Sequence, residues 1–231
     1  MSEPGSRRGR AHNAEGAREA ILNAAEIVFA EHGFDGARID VIAAESGYNK
    51  SLIFQYFDDK LGLYAEIVKR ADREMTELQK QILTPLLEDE TIASNARTFQ
   101  AFLKTIVTTV FDYLVAHPRF VRMLLWEQAE GWQTYSKFIS QFDVEDEETR
   151  KIETVFHKAH RAGLIRSDFV PLMQLGMILQ ICLAYLTFTP LYQMILRGED
   201  VTSAAALARA REYIVDFIIH GMMVDPKDNE N

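Results

Sequence analysis

The sequence predicts an all-α protein of about nine helices, and three observations predict it. Apolar residues recur at three- and four-residue spacing through most of the 231 residues, as amphipathic helices require. Short breaks separate these stretches at Asp58-Asp59, Thr84-Pro85, His117-Pro118, Asp143 to Glu148, Gly163 to Pro171 and Arg197 to Thr202. No stretch alternates with the period of two that a strand needs, and no repeat of solenoid length is present. Mean helix lengths of about 11–12 residues and loops of about 2–8 then give the helix count.

Residues 1–13 carry Arg7, Arg8 and Arg10 without apolar periodicity and read as a disordered basic arm. No apolar stretch follows that would make them a signal peptide. The first helix starts at Ala14, where Ala17, Ile21, Leu22, Ala25, Val28 and Phe29 share one face, and stops at His32-Gly33. Next, ARIDVIAAESGYNKSLIFQYF (residues 37–57) supports two short helices at a tight turn. Gly47 sits where the turn needs φ > 0, and Asn49 is an N-cap for a helix beginning at Lys50. Ile53 and Phe57, one turn apart, anchor that helix. Lys50, Ser51, Leu52, Phe54, Gln55 and Tyr56 are then left on or near its free side. This is the layout of a helix-turn-helix whose second helix reads the major groove. The expected DNA-binding domain spans 14–64, the helical body 65–222 and a disordered acidic tail 223–231.

Those residues carry a specific resemblance. Ile21-Leu22, Ala24-Ala25, Phe29, Gly33-Phe34, Ile42-Ala43, Gly47, Phe54, Tyr56-Phe57, Lys60 and Leu63 are similar, spacing included, to the amino-terminal domain of the TetR family of bacterial transcription regulators. The resemblance implies that Lys50, Ser51, Leu52 and Gln55 touch base edges or flanking phosphates. By the same resemblance, Phe54, Tyr56 and Lys60 touch phosphates, and Tyr48 and Arg38 complete the DNA-contacting set. Arg38, Leu52 and Phe54 stand where the family commonly has Thr, Thr and Tyr. Arg38 can replace a neutral phosphate contact by a charge-assisted one, and Leu52 can meet a thymine methyl.

Charge sets a condition on this reading. The chain is acidic, with 25 Lys+Arg against 34 Asp+Glu and a net −9, whereas phosphate binding depends on Lys and Arg. Residues 1–60 hold seven basic and ten acidic residues, a net −3, and Glu15, Glu19, Glu26 and Glu31 lie on the first long helix. Affinity is then expected to rest on a few placed contacts and on the basic arm, in the minor groove, with a modest salt dependence.

The body is apolar and aromatic. Phe102, Trp126, Trp132 and Tyr135 are the candidate contacts for a hydrophobic small-molecule effector, against the plainer reading of such residues as core. From Phe169 to Leu196 no residue is charged, long enough to span a membrane. Pro171 and Pro190 bracket the run, while Gln174, Gln180, Thr187, Thr189 and Gln193 interrupt it, which favours a helix packed between its own core and a second copy of the chain. On the last helix, Leu207, Ala210, Tyr213 or Ile214, Phe217, Ile218 and Gly221 recur at helical spacing. The resemblance implies that these two helices form a four-helix bundle with a twofold mate. A palindromic operator on double-stranded DNA follows from that symmetry. It also implies that an effector between the helices changes the separation of the two DNA-reading heads.

Enzymatic and metal readings find less support. The acids Asp143 to Glu148 suit a magnesium motif, but no second one accompanies them and a helix dipole favours acids at its start. Glu153, His157 and His160 share a face that suits a divalent metal, yet no fourth ligand is evident. The single Cys182 excludes a disulfide framework and a multi-cysteine metal site. No nucleophile elbow, P-loop or dinucleotide fingerprint occurs. The sequence thus points to a cytoplasmic, homodimeric, ligand-responsive repressor that is neither an enzyme nor a membrane protein and needs no cofactor or metal. The alternative is a helical membrane-associated or small-molecule-binding protein without a DNA role.

Overall fold

Helix follows helix along the described residues of the computed structural model, which are 5–141, 147–166 and 170–224. Side chains are described from Ala14 onward, Glu148 excepted. Nine α-helices form among them: α1 Gly5–Gly36, α2 Ile39–Ser46, α3 Lys50–Phe57, α4 Lys60–Leu87, α5 Ala96–Ala116, α6 Pro118–Ala129, α7 Glu147–Arg161, α8 Pro171–Ile195 and α9 Ala204–Met222. Two 3₁₀ turns, Tyr135–Lys137 and Ile139–Gln141, follow α6. The only extended pairing among these residues is an isolated antiparallel bridge between Ile165 and Met223.

Several boundaries differ from the sequence expectation. Residues 5–13, expected as part of a disordered arm, continue α1. Arg and Ala are strong helix formers and extend a helix already nucleated by the packed face that begins near Ala17. The side chains of Arg7, Arg8 and Arg10 lie outside the described residues. The expected stop at His32-Gly33 is present as a kink inside α1, with Gly33 at φ 68°, ψ 179°. Pro85 does not end α4, which runs two residues further to Leu87. Its missing N–H removes one bond of the ladder, and only two helical residues follow it, so little helix is left to disrupt. Most of the acidic run, residues 143–146, and the end of the tail, 225–231, lie outside the described residues. Glu147 opens α7 and pairs with Lys151 at 2.8 Å.

The chain divides into two units: residues 1–74 with 118–142, and residues 75–117 with 143–231. The expected boundary at 64/65 is therefore not where the contacts divide, because α6 and the 3₁₀ turns, distant in sequence, join the helix-turn-helix. Their Met123 and Phe138 share one core with Ile21, Leu22, Phe29, Ile42, Ile53, Phe57 and Tyr64. A cluster of polar side chains ties α1 to α4: Arg18 to Glu66, and Arg70 to Glu19, Glu26 and Asn23. Two of the acids on the first helix are thus engaged internally by Arg70.

In the second unit α5 is central and packs against both α8 and α9. Phe99 and Phe102 meet Phe156 of α7, with ring centroids 5.9 and 6.4 Å away. Lys104 pairs with Glu212, and Arg211 with Asp112, each at 2.8 Å, between α5 and α9. Both α5 and α8 are long and apolar enough to cross a membrane by length and composition. Half of α5's most apolar stretch is buried, but only 28% of α8's. Met173, Met177, Gln180, Ala184, Phe188, Leu191 and Ile195 form an exposed stripe along α8. On α9, Ala210, Ile214 and Ile218 face inward while Tyr213 and Phe217 are exposed, which resolves the Tyr213 or Ile214 alternative in favour of Tyr213 on the outer face. Between α8 and α9 lies an apolar cavity of about 400 Å³ lined by Met177, Ile178, Ile181, Phe217, Ile218 and Met222, with Arg166 and Gln174 as its polar members.

Candidate nucleic-acid interface

The geometry of α2 and α3 follows from four local choices. Gly47 closes α2 in the left-handed region at φ 75°, a conformation that costs glycine nothing. Asn49 caps α3, its side chain accepting the Leu52 N–H at 2.9 Å. Ile53 and Phe57 are buried and fix the inner face of α3 on the core. Tyr48, Leu52 and Tyr56 are half-buried against the same core. The remaining residues of α3, Lys50, Ser51, Phe54 and Gln55, are exposed, as are Arg38 and Asp40 at the start of α2.

The candidate DNA contacts therefore separate into groups. Lys50, Ser51, Phe54, Gln55 and Arg38 share a solvent-facing surface. Leu52 and Tyr56, placed on or near the free side by sequence, are partly withdrawn because an eight-residue helix seated on a core by Ile53 and Phe57 also turns its flanks inward, and Tyr48, in the turn before it, is half-buried as well. Lys60 is engaged within the chain: its Nζ donates to the Asp35 carbonyl at 3.2 Å and lies 4.6 Å from the centre of the Phe34 ring. Burial holds its ammonium below the usual lysine range.

One charged residue that sequence reasoning passed over stands in this surface. Asp40, in the first turn of α2, forms an ion pair with Lys50 at the start of α3. The Lys50 ammonium, with help from Arg38, holds the Asp40 carboxyl below the ordinary carboxylate range. The available signal was the convergence of two helix starts across the turn, which places residues 40 and 50 within reach of one another.

The four candidate effector contacts are divided between the two units. Phe102 is closed into the core of the second unit. Trp126, Trp132 and Tyr135 belong to the first unit, where Trp126 donates its indole N–H to the Ala30 carbonyl at 3.2 Å. Trp132 is 37% exposed and packs edge-on to Tyr135 at 5.8 Å. Glu127, beside them on α6, is buried and accepts from the Tyr64 hydroxyl at 2.8 Å and the Tyr135 N–H at 3.0 Å. Burial pushes the Tyr64 and Tyr135 hydroxyls up, helped by the charge of Glu127 at Tyr64 and of Asp72 and Glu127 at Tyr135. On α7, His157 and His160 are exposed, and no three His, Cys, Asp or Glu side chains among the described residues are grouped to hold a metal ion.

Comparison with known proteins adds to this geometry. Residues 21–67 match the model of bacterial regulatory proteins of the tetR family, and residues 100–218 match that of a tetracyclin repressor-like C-terminal domain. The HTH-type transcriptional repressor SCO4008 of Streptomyces coelicolor is 34% identical over 120 residues, which cover 52% of this chain and 54% of that repressor. The match thus spans little more than half of that relative. The HTH-type transcriptional repressor NicS of Pseudomonas putida is 25% identical over 213 residues, 92% of this chain and 95% of that protein. Among solved structures, SCO4942 of Streptomyces coelicolor, described as a transcriptional regulator, superposes with a TM-score of 0.59 at 24% identity and covers 89% of this chain and 98% of its own. A protein of Saccharomonospora viridis described likewise and solved in complex with choline gives 0.60 at 19% identity, covering 90% and 98%. At these identities the two structures establish the fold.

Proposed function

The chain belongs to the TetR family of bacterial regulatory proteins, and from that premise we propose that it is a ligand-responsive transcriptional regulator, a repressor, acting on double-stranded DNA in the cytoplasm. The single observation that carries the DNA-binding part is the division of α3. Ile53 and Phe57 are turned into the core, and Lys50, Ser51, Phe54 and Gln55 are exposed on the other side. A helix held this way presents its start and outer face to a major groove. Arg38, exposed at the head of α2, supplies a phosphate contact. Tyr48, Leu52, Tyr56 and Lys60 contribute from the margin, and Lys60 must leave the Asp35 carbonyl to do so.

The repressor acts as a homodimer. The exposed, largely apolar stripe on α8, with Tyr213 and Phe217 on α9, is the face that a second copy covers. Its coverage by protein also accounts for an uncharged helix without placing it in lipid. Two-fold symmetry then gives the operator its palindrome. The effector is a hydrophobic small molecule that binds the DNA-free conformation better and shifts the population toward it. Trp132 and Tyr135 are its proposed contacts, as the candidate pair with ring surface within reach of solvent. Phe102 and Trp126 serve packing first.

Selection from a pool of random duplexes tests this reading. It should return an inverted repeat, and a compound found by its thermal stabilisation of the protein should release that duplex. Recovery of no preferred sequence would count against a regulator, and retention of the duplex with every stabilising compound would count against the effector.

A further inference from the structure

We propose that Asp40 is a specificity-determining residue: by pairing with Lys50 it turns that lysine from a seeker of phosphates into a directed reader of a base edge. The inference rests on the reading of α3 as the groove-facing helix. Its starting point is an electrostatic conflict. Lys50 is the first residue of α3, and a cation at a helix start opposes the helix dipole. Asp40 sits in the first turn of α2, where a carboxylate is favoured by the dipole of its own helix. The ion pair between them joins two helix starts across the Gly47 turn and offsets the charge that α3 disfavours.

Both partners are about half exposed. A pair of that kind contributes little to stability, so the fold alone does not require it. Its effect is on what approaches from outside. A free ammonium at the head of α3 is drawn to any phosphate, whatever the sequence. Paired, Lys50 and Asp40 are neutral together, and the carboxylate repels the backbone. An ammonium has three donors, so beyond the pair Lys50 still has donors for a neutral acceptor such as guanine O6 or N7. The exposed cations of this surface are few, and Arg38 lies near enough to Asp40 to stabilise the same carboxylate. The identity of residue 40 therefore weighs heavily on the balance between phosphate attraction and base reading.

The experiment uses the full-length chain with two duplexes of equal length, the selected operator and a scrambled version, titrated by fluorescence anisotropy across a salt series. Asp40→Asn should bind the scrambled duplex about threefold to tenfold more tightly, with a salt slope steeper by about 0.9, the value for one added phosphate contact. Its operator affinity should rise less or fall, so the ratio of the two affinities drops. Asp40→Glu, which keeps a carboxylate within reach, should restore the wild-type ratio. In a Lys50→Met background, Asp40→Asn removes only the repulsion, so it should raise both affinities alike and leave their ratio unchanged. Equal gains on both duplexes, or no change on either, would overturn the proposal, as would the same effect in the Lys50→Met background. Wild-type operator binding by Lys50→Met alone would instead overturn the reading of α3 on which it rests.

Discussion

Removal of one hydroxyl, by Tyr64→Phe, tests how the first unit is held together. Tyr64 is 1% exposed, and its ring meets Phe29, Phe34 and Phe138 at centroid distances of 5.0, 5.3 and 6.0 Å. All three contacts survive in phenylalanine. What is lost is the 2.8 Å hydrogen bond to Glu127, a carboxylate 2% exposed that retains only the Tyr135 N–H among its described partners. Hydrogen bonds to charged groups contribute about 1.5–3 kcal/mol, and a buried acceptor left short of a donor carries its desolvation penalty. The expected loss is therefore about 2 kcal/mol, against about 3–5 kcal/mol more if the aromatic ring were also removed, as in Tyr64→Ala. In a Glu127→Gln background the bond is neutral, and the same substitution should cost about 1 kcal/mol. Urea unfolding followed by tryptophan fluorescence reads the effect locally, because both tryptophans of the chain, Trp126 and Trp132, lie in this unit. A Tyr64→Phe protein within about 0.3 kcal/mol of wild type would refute the reasoning, as would an equal loss in both backgrounds.

Three further outcomes follow from the same structure. Gly33→Ala should destabilise the first unit by about 2–3 kcal/mol: at φ 68°, ψ 179° the backbone is one that side chains rarely adopt, and a methyl there would meet Trp126 at 3.0 Å. A urea midpoint unchanged from wild type would contradict it. Because the Tyr64 and Tyr135 hydroxyls are raised, the folded chain holds those protons more tightly than the unfolded one. Their contribution is fully present below about pH 10, the ordinary tyrosine value, and is lost as pH rises above it; Tyr64→Phe should flatten this alkaline decline, and an equally steep decline would argue otherwise. Phe217→Glu changes an exposed residue of the single chain, so it should leave the helical content intact while shifting sedimentation from dimer to monomer. An unchanged sedimentation coefficient would exclude α9 from the interface.

The legible parts of the chain were those governed by short-range rules. The Gly47 turn, the Asn49 cap and the inward face set by Ile53 and Phe57 depend on residues within a few positions of each other, and each stands where spacing placed it. The arrival of α6 in the first unit was not legible, since it rests on contacts such as Arg122 and Trp126 to the Ala30 carbonyl, more than ninety residues apart. For the same reason Glu127 attracted no notice: in sequence it is one more surface acid, and its burial exists only because Tyr64 and the backbone of Tyr135 meet it. The side of α9 that faces out was ambiguous because Tyr213 and Ile214 are both apolar neighbours, and only packing against α5 turns Ile214 inward. Net charge summed over a segment likewise conceals pairing. Arg70 answers Glu19 and Glu26 from forty or more residues away, and Asp40 answers Lys50 across a turn.

The proposed DNA recognition rests on the outer face of α3. Gln55 is exposed and takes no part in the core, so Gln55→Ala should fold as wild type does, and its effect on DNA can be read without correction for stability. Anisotropy titration should show tighter wild-type binding to the selected operator than to scrambled DNA, and a loss of operator affinity for Gln55→Ala of about fivefold to 150-fold, the range for one base contact of about 1–3 kcal/mol. Equal affinity of the two proteins for that operator, or of the wild type for operator and scrambled duplex, would contradict the claim that this face reads DNA.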